Sequence, residues 1–158
     1  NVFGNTFILP QEHLQEETKL IPGTDGEKMS KSKNNIIDIF ASEKELIKQI
    51  QSIQTDSTEL EKPKNWKTCN LFKIYKLLAD EDQIKIMKEN YENGGYGYGH
   101  GKKELSELIL SKYKTEREKF TYYIANPDEV EKILSKGAVK AKITADDVLQ
   151  RVRKKLGY

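Results

Sequence analysis

The spacing of helix-start signals constrains the fold of this 158-residue chain more than any other feature. Ser42 and Asp80 are each followed three residues later by Glu or Gln, which is the capping-box pattern at a helix N-terminus. Asn126 and Pro127 place a proline at the first position of another helix. Apolar residues recur at helical spacing after each signal. The sequence therefore predicts a mainly α protein, a helical bundle with short connections.

Four further elements, three helices and a strand, are predicted less directly. We expect one long helix over about residues 102–125 and a helix from Pro127 that ends near Gly137, because glycine often follows the last residue of a helix. A separate last helix should then bury Ile143, Val148, Leu149, Val152 and Leu156. Phe7–Leu9, just before Pro10, is typical of a short strand.

Composition narrows the class of protein. Lys132 to Tyr158 holds eight Lys or Arg and two Asp, whereas the whole chain carries a net charge of +2. This basic end indicates an anionic partner, with nucleic acid first, or a solvated helix face. Cys69 is the only cysteine, which excludes an internal disulfide, and too few Cys and His are present for a zinc cage. No run approaches the ~20 apolar residues of a membrane helix, so we expect a cytoplasmic protein without a secretory leader.

The stretch Ile21–Asn35, IPGTDGEKMSKSKNN, has the composition of a phosphate-binding loop. Glycines allow the backbone to move, lysines supply point charges on long stems, and serines donate hydrogen bonds; these residues are Gly23, Gly26, Lys28, Ser30, Lys31 and Ser32. Nucleotidyl transfer depends mainly on positioning and charge neutralisation, which such side chains supply. The same composition also fits a solvated turn.

The order of these residues is more specific. Lys28-Met29-Ser30-Lys31-Ser32 resembles the KMSKS signature of class I aminoacyl-tRNA synthetases, and the Pro-Gly and Asp-Gly turn ahead of it is similar to its context in that family. Later stretches resemble the bacterial tryptophanyl-tRNA synthetases and favour them over the tyrosine enzymes: Gly94–Lys102 (GGYGYGHGK), Thr115–Tyr123 (TEREKFTYY) and Val148–Tyr158 (VLQRVRKKLGY). The resemblance covers almost the whole chain and corresponds to the C-terminal half of the family.

That resemblance implies both a fold and a reaction. Residues 1–34 would be a remnant of the Rossmann-type catalytic domain with the KMSKS loop, and residues 35–158 a helical domain that binds the anticodon end of tRNA. Members of the family join tryptophan and ATP, with Mg²⁺, into tryptophanyl-adenylate and transfer tryptophan to tRNA(Trp). Lys28 and Lys31 would be the catalytic residues that neutralise pyrophosphate, and Met29, Ser30 and Ser32 would complete the ATP-binding loop. No metal site and no tightly bound cofactor are expected.

Contact with tRNA is expected from basic helix faces. The candidates are Lys112, Lys114, Arg117, Lys119, Arg151, Arg153, Lys154 and Lys155. The glycine-rich segment around His100 is not the His-x-Gly-His turn of class I synthetases, because it follows the KMSKS loop and opens a helix. It is also a poor dinucleotide-binding pattern, which requires a preceding strand. We expect its tyrosines to pack back onto the bundle.

The missing parts of the family pattern limit what the chain can do alone. Neither the His-x-Gly-His turn nor the tryptophan pocket is found, so we expect this polypeptide alone to make no adenylate. The family is usually homodimeric through its catalytic domain, so this chain is expected to be monomeric, with Phe3, Phe7 and Ile8 as an exposed apolar edge. The alternatives are a non-catalytic tRNA-binding paralogue, a relative of the tyrosyl enzyme, and a helical interaction domain without an RNA role.

Overall fold

A computed structural model describes residues 4, 6–13 and 20–158. These described residues form α-helices: α1 (Glu43–Gln51), α2 (Asn70–Lys76), α3 (Glu81–Asn93), α4 (Tyr98–Lys112), α5 (Lys114–Ala125) and α6 (Pro127–Leu156). The prediction of a mainly helical protein is confirmed. The predicted strand is wrong: Phe7–Leu9 is irregular, and the described ranges contain a single isolated bridge, Pro22 with Lys28, and no sheet that could pair with a strand.

The chain divides into two compact units, one of Leu14–Glu118 and one of Asn1–His13 with Lys119–Tyr158. In the first unit, α4 packs against α1 and α2, and α2 packs against α3. Its core consists of apolar side chains from all four helices and the intervening loop: Leu46, Ile50, Ile53, Cys69, Leu71, Phe72, Ile74, Tyr75, Met87, Tyr91, Leu105 and Ile109. The burial of these side chains provides the main stabilisation of the unit.

Local capping starts α1 and α3 as predicted. The Ser42 hydroxyl accepts a hydrogen bond from the Glu45 N–H, and the Glu45 carboxylate accepts one from the Ser42 N–H, both at 3.3 Å. Asp80 and Gln83 form the same reciprocal pair at α3, at 2.8 and 3.1 Å. Gly94, at φ +76°, then follows the last residue of α3. Both predicted capping boxes are therefore confirmed.

The prediction of a single long helix over residues 102–125 is wrong in two respects. The helix begins earlier, at Tyr98, where the imidazole Nδ1 of His100 accepts a hydrogen bond from the Gly97 N–H at 3.2 Å, as the N3 side chain does in a capping box. It also ends at Lys112, since Tyr113 has φ −105° and ψ 18°, outside the helical range, and α5 starts at Lys114.

In the second unit, the predicted stop at Gly137 is wrong. α6 runs through Gly137 without interruption and ends at Leu156, followed by Gly157, whose φ of +87° is the left-handed conformation of a helix C-cap. The predicted burial of the apolar face of α6 is also wrong. Ile143, Leu149 and Leu156 are exposed, and Val148 and Val152 are half-buried. The described part of this unit supplies only the end of α5 as a helical neighbour, which is too short to cover a 30-residue helix.

The predicted exposed apolar edge is partly described by the structure. Phe7 and Ile8 are 65% and 90% exposed, while Phe3 lies outside the described residues.

Within the described ranges, no helix combines the length and the apolar character that a bilayer span requires.

Candidate functional site: the Lys28–Ser32 loop

The segment before the lysines is a tight turn. The Gly23 N–H donates to the Glu27 carbonyl at 2.7 Å, and the Gly26 N–H donates to the Gly23 carbonyl at 3.0 Å. Gly26 has φ +85°, a conformation that glycine adopts without steric cost. The Met29 N–H donates back to the Ile21 carbonyl at 2.9 Å, which closes the base of the turn. The motif therefore starts from a hydrogen-bonded backbone.

The motif continues into a short 3-10 helix, Lys31–Lys33, with Ser30 at its N-cap and Asn34 at its C-cap. Asn34 has φ +53°, which asparagine tolerates better than most side chains. The hydroxyls of Ser30 and Ser32 lie 2.8 Å apart and share a hydrogen bond. The five motif residues thus follow a regular, locally bonded path.

Asn35 connects the two ends of this segment. Its side chain is buried, with 2% of the residue exposed. The carboxamide oxygen accepts from the Ser30 N–H at 2.7 Å. The carboxamide nitrogen donates to an Asp25 carboxylate oxygen at 2.8 Å and to the Lys28 carbonyl at 3.2 Å. The Asn35 carbonyl also accepts from the Thr24 N–H at 2.9 Å.

The charge of Asp25 is stabilised by the same network. Its carboxylate accepts hydrogen bonds from Asn35 and from the Glu27 N–H at 2.9 Å. The Asn35 carboxamide is the largest influence that holds the pKa of Asp25 below its usual value. The carboxyl is therefore ionised, and a good acceptor, throughout the neutral range.

Two residues outside the loop, one at the start of α2 and one just after α1, hold the base of the turn. The Asn70 carboxamide, at the start of α2, donates to the Gly23 carbonyl at 2.8 Å and to the Thr24 carbonyl at 3.4 Å. The Gln54 N–H donates to the Thr24 carbonyl at 2.7 Å. The loop is consequently part of the same compact unit as α1–α4.

The lysines themselves are presented to solvent. Lys28, Lys31 and Ser32 are exposed, and Met29 and Ser30 are half-buried. Within the described part of the chain, neither lysine forms an ion pair. Exposed ammonium groups on a fixed backbone can bind an oligophosphate. A solvated turn without the Asn35 contacts would bind it less well, because its backbone would have to be ordered on binding.

The predicted tRNA-contact residues lie in different surroundings. The ammonium group of Lys112 donates to the Leu78 carbonyl at the C-terminus of α2. The guanidinium of Arg117 donates to the carbonyls of Ile39 and Ala41, the latter at 2.9 Å. Contact of these two groups with RNA phosphates would compete with their present hydrogen bonds. Lys114 and Lys119 are exposed on α5.

The remaining four candidates lie on the last turns of α6. Arg151, Arg153, Lys154 and Lys155 are all exposed, and three of them occupy the final turn, where cations interact favourably with the helix dipole. The assignment of all eight residues to tRNA contact stays a prediction.

The glycine-rich segment packs as expected. The rings of Tyr96 and Tyr98 are half-buried and lie 5.5 and 5.9 Å from the ring of Tyr91. The tyrosines therefore fill the bundle next to α3 and α4. Across the described ranges, no three His, Cys, Asp or Glu side chains are arranged to bind a metal ion.

No pattern in the sequence indicates the contacts made by Asn35, Gln54 and Asn70, and Asp25 is marked only as part of the Asp-Gly turn. Asparagine and aspartate in a glycine-containing segment indicate turns, but that signal does not show which of them cross-link the loop.

Comparisons with known proteins show which family this chain resembles. A family model described as tRNA synthetases class I (W and Y) matches residues 1–114. The tryptophan–tRNA ligase of Campylobacter jejuni strain RM1221 is 48% identical over 157 residues, which is 99% of this chain and 49% of that protein. The ligase of Fusobacterium nucleatum is 41% identical over 151 residues, covering 96% of this chain and 46% of its own length.

A solved structure gives the same result. The crystal structure of the tryptophanyl-tRNA synthetase from Campylobacter jejuni complexed with ADP and tryptophan matches with a TM-score of 0.87 and 47% identity. The match covers 99% of this chain and 49% of that one. The chain thus spans about half the length of the curated relatives it matches. The resemblance read from the motifs is confirmed, and the chain belongs to the class I tRNA synthetases of the tryptophan and tyrosine family.

Proposed function

We propose that this chain is the C-terminal part of a tryptophan–tRNA ligase, which activates tryptophan with MgATP and transfers it to tRNA(Trp). The observation that carries the proposal is the 48% identity to a tryptophan–tRNA ligase over 99% of the chain. The crystal structure with ADP and tryptophan is of a similar protein and supports the same substrate classes. We also propose a cytoplasmic location, because tRNA is charged in the compartment where ribosomes use it.

In this proposal, residues 21–35 are the pyrophosphate-binding side of the active site. Lys28 and Lys31 neutralise charge as pyrophosphate leaves, while Ser30 and Ser32 donate hydrogen bonds to phosphate oxygens. The exposed ammonium groups and the hydrogen-bonded backbone support this role. Loss of one such charge-stabilising group costs on the order of 10²–10³ in rate in other enzymes.

The rest of the chain would serve recognition of tRNA. We place residues 1–34 with the catalytic domain and residues 35–158 with the tRNA-binding domain. The basic side chains named above would contact phosphates, with Arg151, Arg153, Lys154 and Lys155 as the most accessible group on one helix. Phosphate contacts of this kind position RNA without reading its sequence.

The test is ATP–pyrophosphate exchange by the complete product of the gene that contains this sequence. We expect exchange that depends on tryptophan and not on tyrosine. The double variant Lys28→Ala/Lys31→Ala should reduce the rate at least about 10²-fold, whereas Lys44→Ala, which removes an exposed charge from α1, should leave it unchanged. Binding of tRNA(Trp) without exchange would instead identify a non-catalytic tRNA-binding protein, and exchange dependent on tyrosine would reassign the substrate.

A further inference from the structure

We propose that Asn35 is a positioning residue for the catalytic lysines: its buried carboxamide fixes the main chain on both sides of Met29 and so sets the paired presentation of Lys28 and Lys31 before ATP binds. The inference rests on the function proposed above and assigns a role to a residue outside the Lys28–Ser32 motif.

The first argument is the placement of the hydrogen bonds. The Asn35 side chain binds the carbonyl of Lys28 and the N–H of Ser30, which are the backbone groups that flank Met29. One rigid planar group therefore fixes two points of the motif that are two residues apart. The third bond, to the ionised Asp25 carboxylate, holds the carboxamide in the orientation that makes both contacts possible.

The second argument is the close packing that this arrangement requires. A β-carbon at Gly23 would lie 2.4 Å from the Asn35 carboxamide nitrogen and 2.6 Å from the Asn35 carbonyl oxygen. Only glycine at position 23 allows the turn to close on the side chain. The turn at Gly23 is thus packed closely against Asn35, the residue whose side chain also holds the motif.

The third argument separates positioning from general stability. The hydrogen bonds that the structure gives Asn35 go to residues 24–30, while the base of the turn is held independently by Asn70 and Gln54. Removing the Asn35 side chain should therefore release the motif but leave the turn attached to the helical core. A lysine ammonium lies at the end of a long stem, so a small change in backbone direction is amplified at the charge. Misplacement of a catalytic group by about 1 Å can cost on the order of 10²-fold in rate.

The test uses the complete protein with Asn35→Ala and Asn35→Asp. Alanine removes all three side-chain bonds, whereas aspartate keeps the shape and the acceptor for Ser30 but directs a carboxylate at Asp25. Both variants should lower kcat for tryptophan-dependent ATP–pyrophosphate exchange about 10- to 100-fold and leave the KM for tryptophan unchanged. The matched control is Asn93→Ala, an exposed asparagine at the end of α3, which should change neither constant.

Two further readouts distinguish positioning from a structural role. In the Lys28→Ala/Lys31→Ala background, Asn35→Ala should cause no additional loss, because the groups it positions are absent. Hydrogen exchange of the Ser30 amide should accelerate in Asn35→Ala, while the amides of α4 keep their protection.

The possible outcomes decide between the claims. If the unaltered protein shows no exchange, the proposed function is wrong, and the amide measurement still judges whether Asn35 orders the motif. If exchange is normal in Asn35→Ala, or if the variant lowers the rate by the same factor with and without the two lysines, the positioning role is overturned.

Discussion

Gly101 on α4 lies directly against the hydroxyl of Tyr91 on α3: a β-carbon at position 101 would be 2.7 Å from Tyr91 Oη and 3.0 Å from Leu71 Cδ2. Both partners are buried, so the neighbours cannot move aside freely. We therefore expect Gly101→Ala to lower the free energy of unfolding by about 1–3 kcal/mol, measured by urea denaturation. Gly99→Ala is the matched control, since nothing lies within 4 Å of its β-carbon position in the same helix.

The same contact predicts a non-additive pair. The Tyr91 hydroxyl is buried, and the Cys69 thiol, a weak hydrogen-bonding group, is its one partner among the described residues. Burial raises the pKa of the hydroxyl far above its usual value, so it stays protonated. Removing a buried polar group that is so weakly satisfied is expected to be nearly neutral. Tyr91→Phe should therefore cost little and should recover most of the loss in Gly101→Ala. Full additivity of the two changes would contradict the contact.

A second prediction concerns the loop between α1 and α2. The Lys64 residue is only 4% exposed, and its ammonium donates to the carbonyls of Glu59, Leu60 and Lys62 at 3.1–3.2 Å. Lys64→Met keeps the apolar stem but leaves these carbonyls without their charged donor. We expect a loss of about 2–3 kcal/mol in the free energy of unfolding. The control is Lys62→Met, at an exposed neighbour paired with Glu59 at 3.1 Å. This substitution should lower the free energy of unfolding by at most about 0.5 kcal/mol. Equal effects would contradict the role of the buried ammonium.

Local signals explain which parts of the fold could be predicted. The predicted start and end of α3 are correct because a capping box and a glycine mark them within a few residues of chain. The sequence did not predict the start of α4, because its N-cap is Gly97 and the residue that accepts from the Gly97 N–H is His100, where a capping box has Glu or Gln. The predicted end of the helix at Gly137 is wrong because glycine alone does not end a helix. Glycine can adopt the helical conformation at a cost of only ~1 kcal/mol relative to alanine.

The candidate site shows the same division. The types of residue in the Lys28–Ser32 motif indicate a phosphate-binding loop, and the order of residues indicates the family. The residues that hold the loop were not predictable, because Asn70 reaches the Gly23 carbonyl from 47 residues away. Similarly, helical periodicity identifies the apolar face of α6 but not what covers it, and Ile143 is 68% exposed.

A third prediction concerns pH. Hydrogen bonds lower the pKa of Asp56 below its usual 3.8, first from the side chain and then from the N–H of Thr58, with a smaller contribution from the Tyr98 hydroxyl at 2.8 Å. A lowered pKa in the folded state stabilises the protein above pH 3.8, and this stabilisation is lost as the pH falls through the folded-state value. The carboxylate is exposed, so its contribution is below about 1 kcal/mol.

Asp56→Asn measures that contribution. The wild type should be more stable than the variant at pH 6, and the difference in the free energy of unfolding should shrink as the pH falls below 3.8. Asp147→Asn, which changes an exposed carboxylate in the middle of α6, away from the dipole of the helix ends, is the control for a general charge effect. A difference for Asp56→Asn that is independent of pH would show that ionisation of Asp56 does not contribute.

The last prediction tests whether the basic end of α6 binds RNA. Each phosphate contact releases counterions, so the slope of log K against log salt falls by about 0.7–0.9 for each contact removed. Replacing Arg151, Arg153, Lys154 and Lys155 together by Gln should reduce the slope for tRNA(Trp) binding by about 3 and weaken binding most at low salt. The control replaces four exposed lysines of α1–α3 by Gln, with the same change in net charge: Lys44, Lys48, Lys73 and Lys85. If both sets change the slope equally, the attraction comes from overall charge, because a true contact surface responds only where the phosphates lie.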